Sequence, residues 1–178
     1  MTSLRRLDIR QDDPVSWRQI MRRSVYIETT IVSCLKAWPS RDLVRAAEQQ
    51  ITREWWAVQR PKFDLYTAQL VLIEAAAGDP EAAAERLAAL QELPLLDTTE
   101  RALQVADILL ASAALPETAE RDALHVGVAA DNGMDFLLTW NCRHLANAML
   151  RDRIEEVIEH VGLRPPKICT PEELMGDD

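Results

Sequence analysis

Four side chains in this sequence stand where their type and setting could do chemistry: Glu28, Glu74, Asp122 and Asn141. Glu28 directly follows the apolar run Ser24–Ile27 and precedes Thr29-Thr30, while Asn141 follows Asp135–Thr139 within Thr139-Trp140-Asn141. Glu74 is the one charge in the apolar stretch AQLVLIEAAA, and Asp122 opens DALHVGVAA, where only His125 is neither small nor apolar. Burying an unpaired carboxylate costs several kcal/mol or shifts its pKa, so acids in such company need partners. A divalent cation satisfies several acids at once, and hard oxygen donors suit Mg²⁺ or Mn²⁺. Taken singly, each has a plainer role. Glu74 could face solvent, Asp122 could be a first-turn acid favoured by the helix dipole, and Glu28 and Asn141 could cap the helices that follow them.

The elements that must position these groups alternate in type. Ser24–Ile27, Phe63–Tyr66, Leu93–Leu96, Asp135–Thr139 and Lys167–Cys169 read as short buried strands, rich in β-branched, aromatic and leucine residues. Between them, Arg41–Arg60 carries Leu43, Ala46, Ala47, Ile51, Trp55 and Val58 at spacings of three and four, which predicts an amphipathic helix capped by Ser40 and stopped by Pro61. Ala68–Ala77 reads as an apolar helix ended by Gly78, and Asp79-Pro80-Glu81 as the start of the next. Further helices are expected from Thr98 or Thr99 to about Ala114, from Ala119 to Ala130 with Gly133 beyond, across His144–Met149, and across Arg151–Val161. Strands alternating with helices imply an α/β domain with a mostly parallel sheet, which binds ligands beyond the carboxyl ends of its strands.

Composition bounds the function. A chain of 178 residues with 48% hydrophobic and 28% charged residues makes one soluble domain with a full core, not a disordered segment. No apolar run reaches the roughly 18 residues of a membrane span, and the first 23 residues lack a stretch of signal-peptide type. Three scattered cysteines fit a reducing cytoplasm, and no Gly-rich phosphate loop is present. The net charge is −9, with 20 basic against 29 acidic residues. Six of the basic and three of the acidic residues lie in 1–23, leaving −12 on the remainder. Such a body does not coat nucleic acid nonspecifically and must act on it, if at all, at a local site. Residues 1–23 read as a basic tail outside a domain spanning 24–178, and Met21 is a second possible natural start.

The blocks Tyr26-Ile27-Glu28-Thr29-Thr30-Ile31, Glu74, Asp122-Ala123-Leu124-His125 and Leu138-Thr139-Trp140-Asn141 resemble, in order and spacing, those of PIN domains, especially the VapC-type toxins. The resemblance covers about residues 24–175. It implies a three-layer α/β/α domain, a cluster of acids binding Mg²⁺ or Mn²⁺, and metal-dependent hydrolysis of RNA. It further implies an antitoxin partner and a homodimer. The residues it assigns to metal and catalysis are Glu28, Glu74, Asp122 and Asn141. Two of them depart from the family pattern, since Glu28 stands where Asp is usual and Asn141 where a fourth acid is expected. An alternative is therefore a PIN-fold pseudo-nuclease that binds RNA or protein; a third is a phosphatase or DNA nuclease on a similar scaffold.

Other groups carry weaker signals. Thr29, Thr30 and Thr139 could orient water or phosphate, or serve as caps. His125, three residues after Asp122, could hydrogen-bond it on a shared helix face. Cys142 and His144 fit no standard zinc spacing. Arg121 and Arg143 flank the expected site and could meet a phosphate backbone. Trp55-Trp56 reads as a core anchor with a partly exposed neighbour or as a protein contact, and Trp140 could stack on a base. Asp135 begins its strand and is expected at the opposite sheet edge.

Overall fold

The computed structural model describes residues 22–176. The expected tail lies outside these except for Arg22 and Arg23, as does Met21, and Arg23 already opens the first strand. Five strands, β1 (Arg23–Ile27), β2 (Phe63–Ala68), β3 (Leu95–Leu96), β4 (Phe136–Leu138) and β5 (Lys167–Cys169), form one all-parallel sheet in the order β3-β2-β1-β4-β5. Among the described residues, seven α-helices connect them: α1 (Thr29–Lys36), α2 (Leu43–Glu54), α3 (Gln69–Ala75), α4 (Pro80–Leu90), α5 (Glu100–Ala111), α6 (Glu120–Asp131) and α7 (Ala148–His160). Helix α1 packs against α2, α3 and α4, while α5 packs against α6 and α7. The result is a three-layer α/β/α domain, as the sequence predicts.

The central strand β1 is Val25, Tyr26 and Ile27 over its last three positions, all fully buried, so both of its faces pack on helices. Chain order reverses beside it. The chain moves outward from β1 through β2 to β3 and then returns to lay β4 on β1's other side. At such a switch point the connections leave in opposite directions and open a crevice beyond the carboxyl ends of β1 and β4. On the other side of the sheet, α5 and α6 approach closely at Gly127. A Cβ there would lie 2.2 Å from the backbone oxygen of Ala102, so only glycine permits the contact.

Three expectations about helices are corrected. The first concerns the stripe on α2, which lies inside only in part: Trp55 is buried and Ala46 and Ile51 are half-buried, but Leu43 is 85% exposed and Val58 is 51% exposed. The buried positions are Gln49 and Thr52, whose polar atoms are satisfied by Ser40 N–H and Trp38 C=O, and by Glu48 C=O and the Trp140 indole. The second concerns its ends. Asp42, not Ser40, caps the helix, which widens into a π turn at Trp55–Gln59 and then tightens into a 3-10 turn that includes Pro61. That change of pitch turns Val58 outward while Trp55 stays buried and stacks on Phe63. The third concerns His144–Met149, which holds no separate helix. Asn141 Oδ1 accepts the His144 N–H, residues 142–146 form turns, and α7 begins only at Ala148 under an Asn147 cap.

Candidate metal centre

Strand β1 ends at Ile27, and the next residue, Glu28, has extended backbone and is the cap of α1. Its side chain is 4% exposed. One carboxylate oxygen, Oε2, accepts from Thr30 N–H (3.1 Å), from the Thr30 hydroxyl and from the Thr139 hydroxyl (2.8 Å). The other oxygen, Oε1, lies 4.0 Å from His125 Nε2. The plainer capping role and the site role of Glu28 thus coexist on two oxygens of one carboxylate.

Glu74 arrives from α3. Its Oε2 takes a hydrogen bond from the Thr29 hydroxyl and lies 3.1 Å from His125 Nε2, and its Oε1 lies 3.6 Å from the Arg121 guanidinium. Burial opposes its ionisation more than any other single influence. Hydrogen bonds from His125 and Thr29, with the charges of His125 and Arg121, together outweigh it and hold the carboxyl below its ordinary value. His125 projects from α6 and is 1% exposed. Its Nδ1 pairs with the Tyr26 hydroxyl at 2.8 Å. Burial first, then the charges of Glu28 and Glu74, push the Tyr26 phenol well above its ordinary value.

Glu28, Glu74 and His125 can hold a metal ion, since one donor atom from each lies within 4.8 Å of the other two. An octahedral ion with bonds of about 2.1 Å sets adjacent donors about 3.0 Å apart and opposite ones about 4.2 Å apart. The two distances from His125 Nε2, 3.1 and 4.0 Å, fall in that span.

Asp122 and Asn141, bonded to each other and linked to Glu28 through Thr139, form the rim of this centre, and among the described residues Asp122 is not in its group of three acid and histidine donors. Asp122 Oδ1 accepts from Asn141 Nδ2 at 2.9 Å, and its Oδ2 lies 2.7 Å from His144 Nδ1. The pairing of His125 with Asp122 is corrected: His125 turns to Glu74 and Tyr26, and Asp122 turns to the loop after β4. The rim joins the centre through Thr139, which is fully buried. Its hydroxyl accepts the Asn141 N–H at 2.9 Å and donates to Glu28. Asp135 sits at the other sheet edge, as expected, paired with Ser24 and Arg164.

Two contributors lie beyond the four expected site residues. Spacing sets His125 beside Asp122, although its place as the one polar group in an apolar helix is the same signal that marks Glu74. His144 carries no metal spacing with Cys142, which is exposed and forms no disulfide. Beside the rim, a groove of about 430 Å³ is lined by Arg45, Arg143, Trp140 and Asn141, among others. Trp140 is tied by its indole N–H to Thr52 at 2.7 Å, so only part of its ring meets that groove. Among the described residues, no helix is long and apolar enough to cross a membrane. Compared with models of known protein families the chain matches none, and no curated protein matches its sequence.

Proposed function

We propose that this chain is a metal-dependent ribonuclease of PIN type that works in the cytoplasm as the toxin of an antitoxin-controlled pair and acts as a homodimer. The observation that carries the metal and nuclease part is the meeting of Glu28, Glu74 and His125 within 4.8 Å at the switch point of a parallel sheet. The toxin, antitoxin and dimer parts follow from the resemblance of the sequence blocks alone.

A bound Mg²⁺ or Mn²⁺ would lower the pKa of a coordinated water and offset the charge of the phosphate under attack. The residues named do the rest. Glu28 and Glu74, with His125 between them, would hold the ion, and Thr29, Thr30 and Thr139 fix the two carboxylates by hydroxyl donors. Asp122 and Asn141 stand at the rim, where a water or a second oxygen ligand of the substrate would be placed. Arg121 beside Glu74 offers positive charge to an RNA backbone, while in the adjoining groove Arg45 and Arg143 stand against Asp42 and Glu48.

One observation favours the pseudo-nuclease reading. Glu74 already has His125, Thr29 and Arg121 as partners, and both oxygens of Asp122 are occupied by Asn141 and His144. Cleavage of total RNA in Mn²⁺, Mg²⁺ or EDTA, with Glu74→Gln and Asp122→Asn beside the parent, separates the two. Metal-dependent cleavage that Glu74→Gln abolishes supports the nuclease. RNA binding without cleavage in any metal supports the binding module. An antitoxin gene beside this one supports the toxin role, and a solitary gene argues against it.

A further inference from the structure

We propose that His125 is itself a ligand of the cation, through Nε2, and that this nitrogen among oxygen donors makes the centre prefer Mn²⁺ to Mg²⁺. The inference rests on the cation-binding part of the reading above and not on its nuclease part. His125 is 1% exposed, and its Nε2 faces two carboxylates, 3.1 Å from Glu74 and 4.0 Å from Glu28. An imidazole so placed either donates a proton to a carboxylate or gives a lone pair to a cation held between them.

Tyr26 makes both states available without moving the ring. Its hydroxyl, 2.8 Å from Nδ1, can donate or accept a hydrogen bond. Without a cation, the phenol donates to Nδ1, and the ring proton sits on Nε2 and bonds Glu74. With a cation, Nε2 gives its lone pair to the ion, and the proton sits on Nδ1 and donates to the Tyr26 oxygen. Metal-bound histidines commonly anchor the far nitrogen this way, which fixes the tautomer and raises ligand basicity. Between the two states one proton leaves Nε2 and one arrives at Nδ1, through exchange with solvent. Imidazole suits the later first-row ions best, and Mn²⁺, though it also takes oxygen donors, opens that series, whereas Mg²⁺ favours oxygen donors and retained water.

Pulsed electron paramagnetic resonance of the Mn²⁺-loaded full chain tests this directly, because nitrogen bound to Mn²⁺ modulates the echo. The expected spectrum carries ¹⁴N modulation that becomes ¹⁵N modulation on labelling with ¹⁵N-histidine. It persists in His144→Gln and disappears in His125→Gln. Loss of a partner one shell outside a metal costs about 10–100-fold in affinity, so His125→Gln should lower Mn²⁺ affinity by at least about tenfold, with a smaller effect on Mg²⁺. Titration calorimetry reads that ratio, and isotopic labelling, with modulation that also persists in His160→Gln, leaves the result independent of whether His125→Gln folds. Bound Mn²⁺ with no histidine modulation, or modulation lost in His144→Gln, overturns the proposal. RNA cleavage alongside either result leaves the nuclease reading standing. Failure to bind either cation overturns both.

Discussion

Thr139→Val removes a single hydroxyl from a fully buried position and keeps nearly the same shape, so its effect isolates the bridge between Glu28 and Asn141. That hydroxyl donates to the Glu28 carboxylate at 2.8 Å and accepts a backbone N–H at 2.9 Å. A hydrogen bond to a charged group contributes about 1.5–3 kcal/mol, and a buried donor left without a partner costs about 1–3 kcal/mol. Glu28 retains Thr30 as a donor, and Asn141 N–H is only half-buried, so the lower half of each range applies. The expected loss is about 3 kcal/mol. With a urea slope of about 2 kcal/mol/M, the unfolding midpoint falls by about 1.5 M. Urea denaturation followed by tryptophan fluorescence and circular dichroism, with coincident transitions, measures it. A loss below about 1 kcal/mol would refute the reasoning, since it would mean that the hydroxyl bridges nothing of energetic consequence.

Gly127→Ala forces a methyl group to 2.2 Å from the Ala102 backbone oxygen, and the helices must separate, which costs about 1–3 kcal/mol; a neutral thermal shift would contradict the close approach of α5 and α6. For Asp135, burial is the largest single influence and opposes ionisation, but the Ser24 N–H and hydroxyl and Arg164 together hold its carboxyl below the ordinary value. Its contribution is therefore full above about pH 4 and is lost as pH falls through the depressed folded value. Asp135→Asn should flatten the fall of stability below pH 4 in acid titration, and an unchanged slope would exclude this role. Arg121→Ala, at a side chain 76% exposed, should change stability by less than about 1 kcal/mol. It should also weaken RNA binding and reduce its salt dependence, and equal salt slopes in parent and variant would remove Arg121 from the RNA path.

Strands were legible where the sequence concentrates buried β-branched and aromatic residues. Ser24–Ile27 lacked only Arg23, and Lys167–Cys169 needed no change. The acids at strand ends were legible for a related reason, since a parallel sheet brings all its carboxyl ends to one edge. Which groups would pair there was not legible. Asp122 and His125 are neighbours on one helix, yet Asp122 faces a loop 19–22 residues later and His125 faces a strand 99 residues earlier. Those choices depend on what lies opposite each turn of α6, and periodicity within the helix carries no trace of it. The buried face of α2 was hidden likewise. Gln49 and Thr52 go inside because Trp38 and Trp140 meet their polar atoms, and hydropathy places such residues outside.

The span of these contacts bears on when the centre comes into being during synthesis. The link from Thr29 to Glu74 closes 45 residues of chain, the one from Tyr26 to His125 closes 99, and the one from Glu28 to Thr139 closes 111. Strand β1 leaves the ribosome early and must wait for β4, which completes its central position in the sheet. Contacts of such long range form late, because the loop entropy must be overcome before they reward the chain. A chain that stops short of β4 therefore carries Glu28, Glu74 and His125 without the assembled centre, which forms only once β4 and Thr139 have been made.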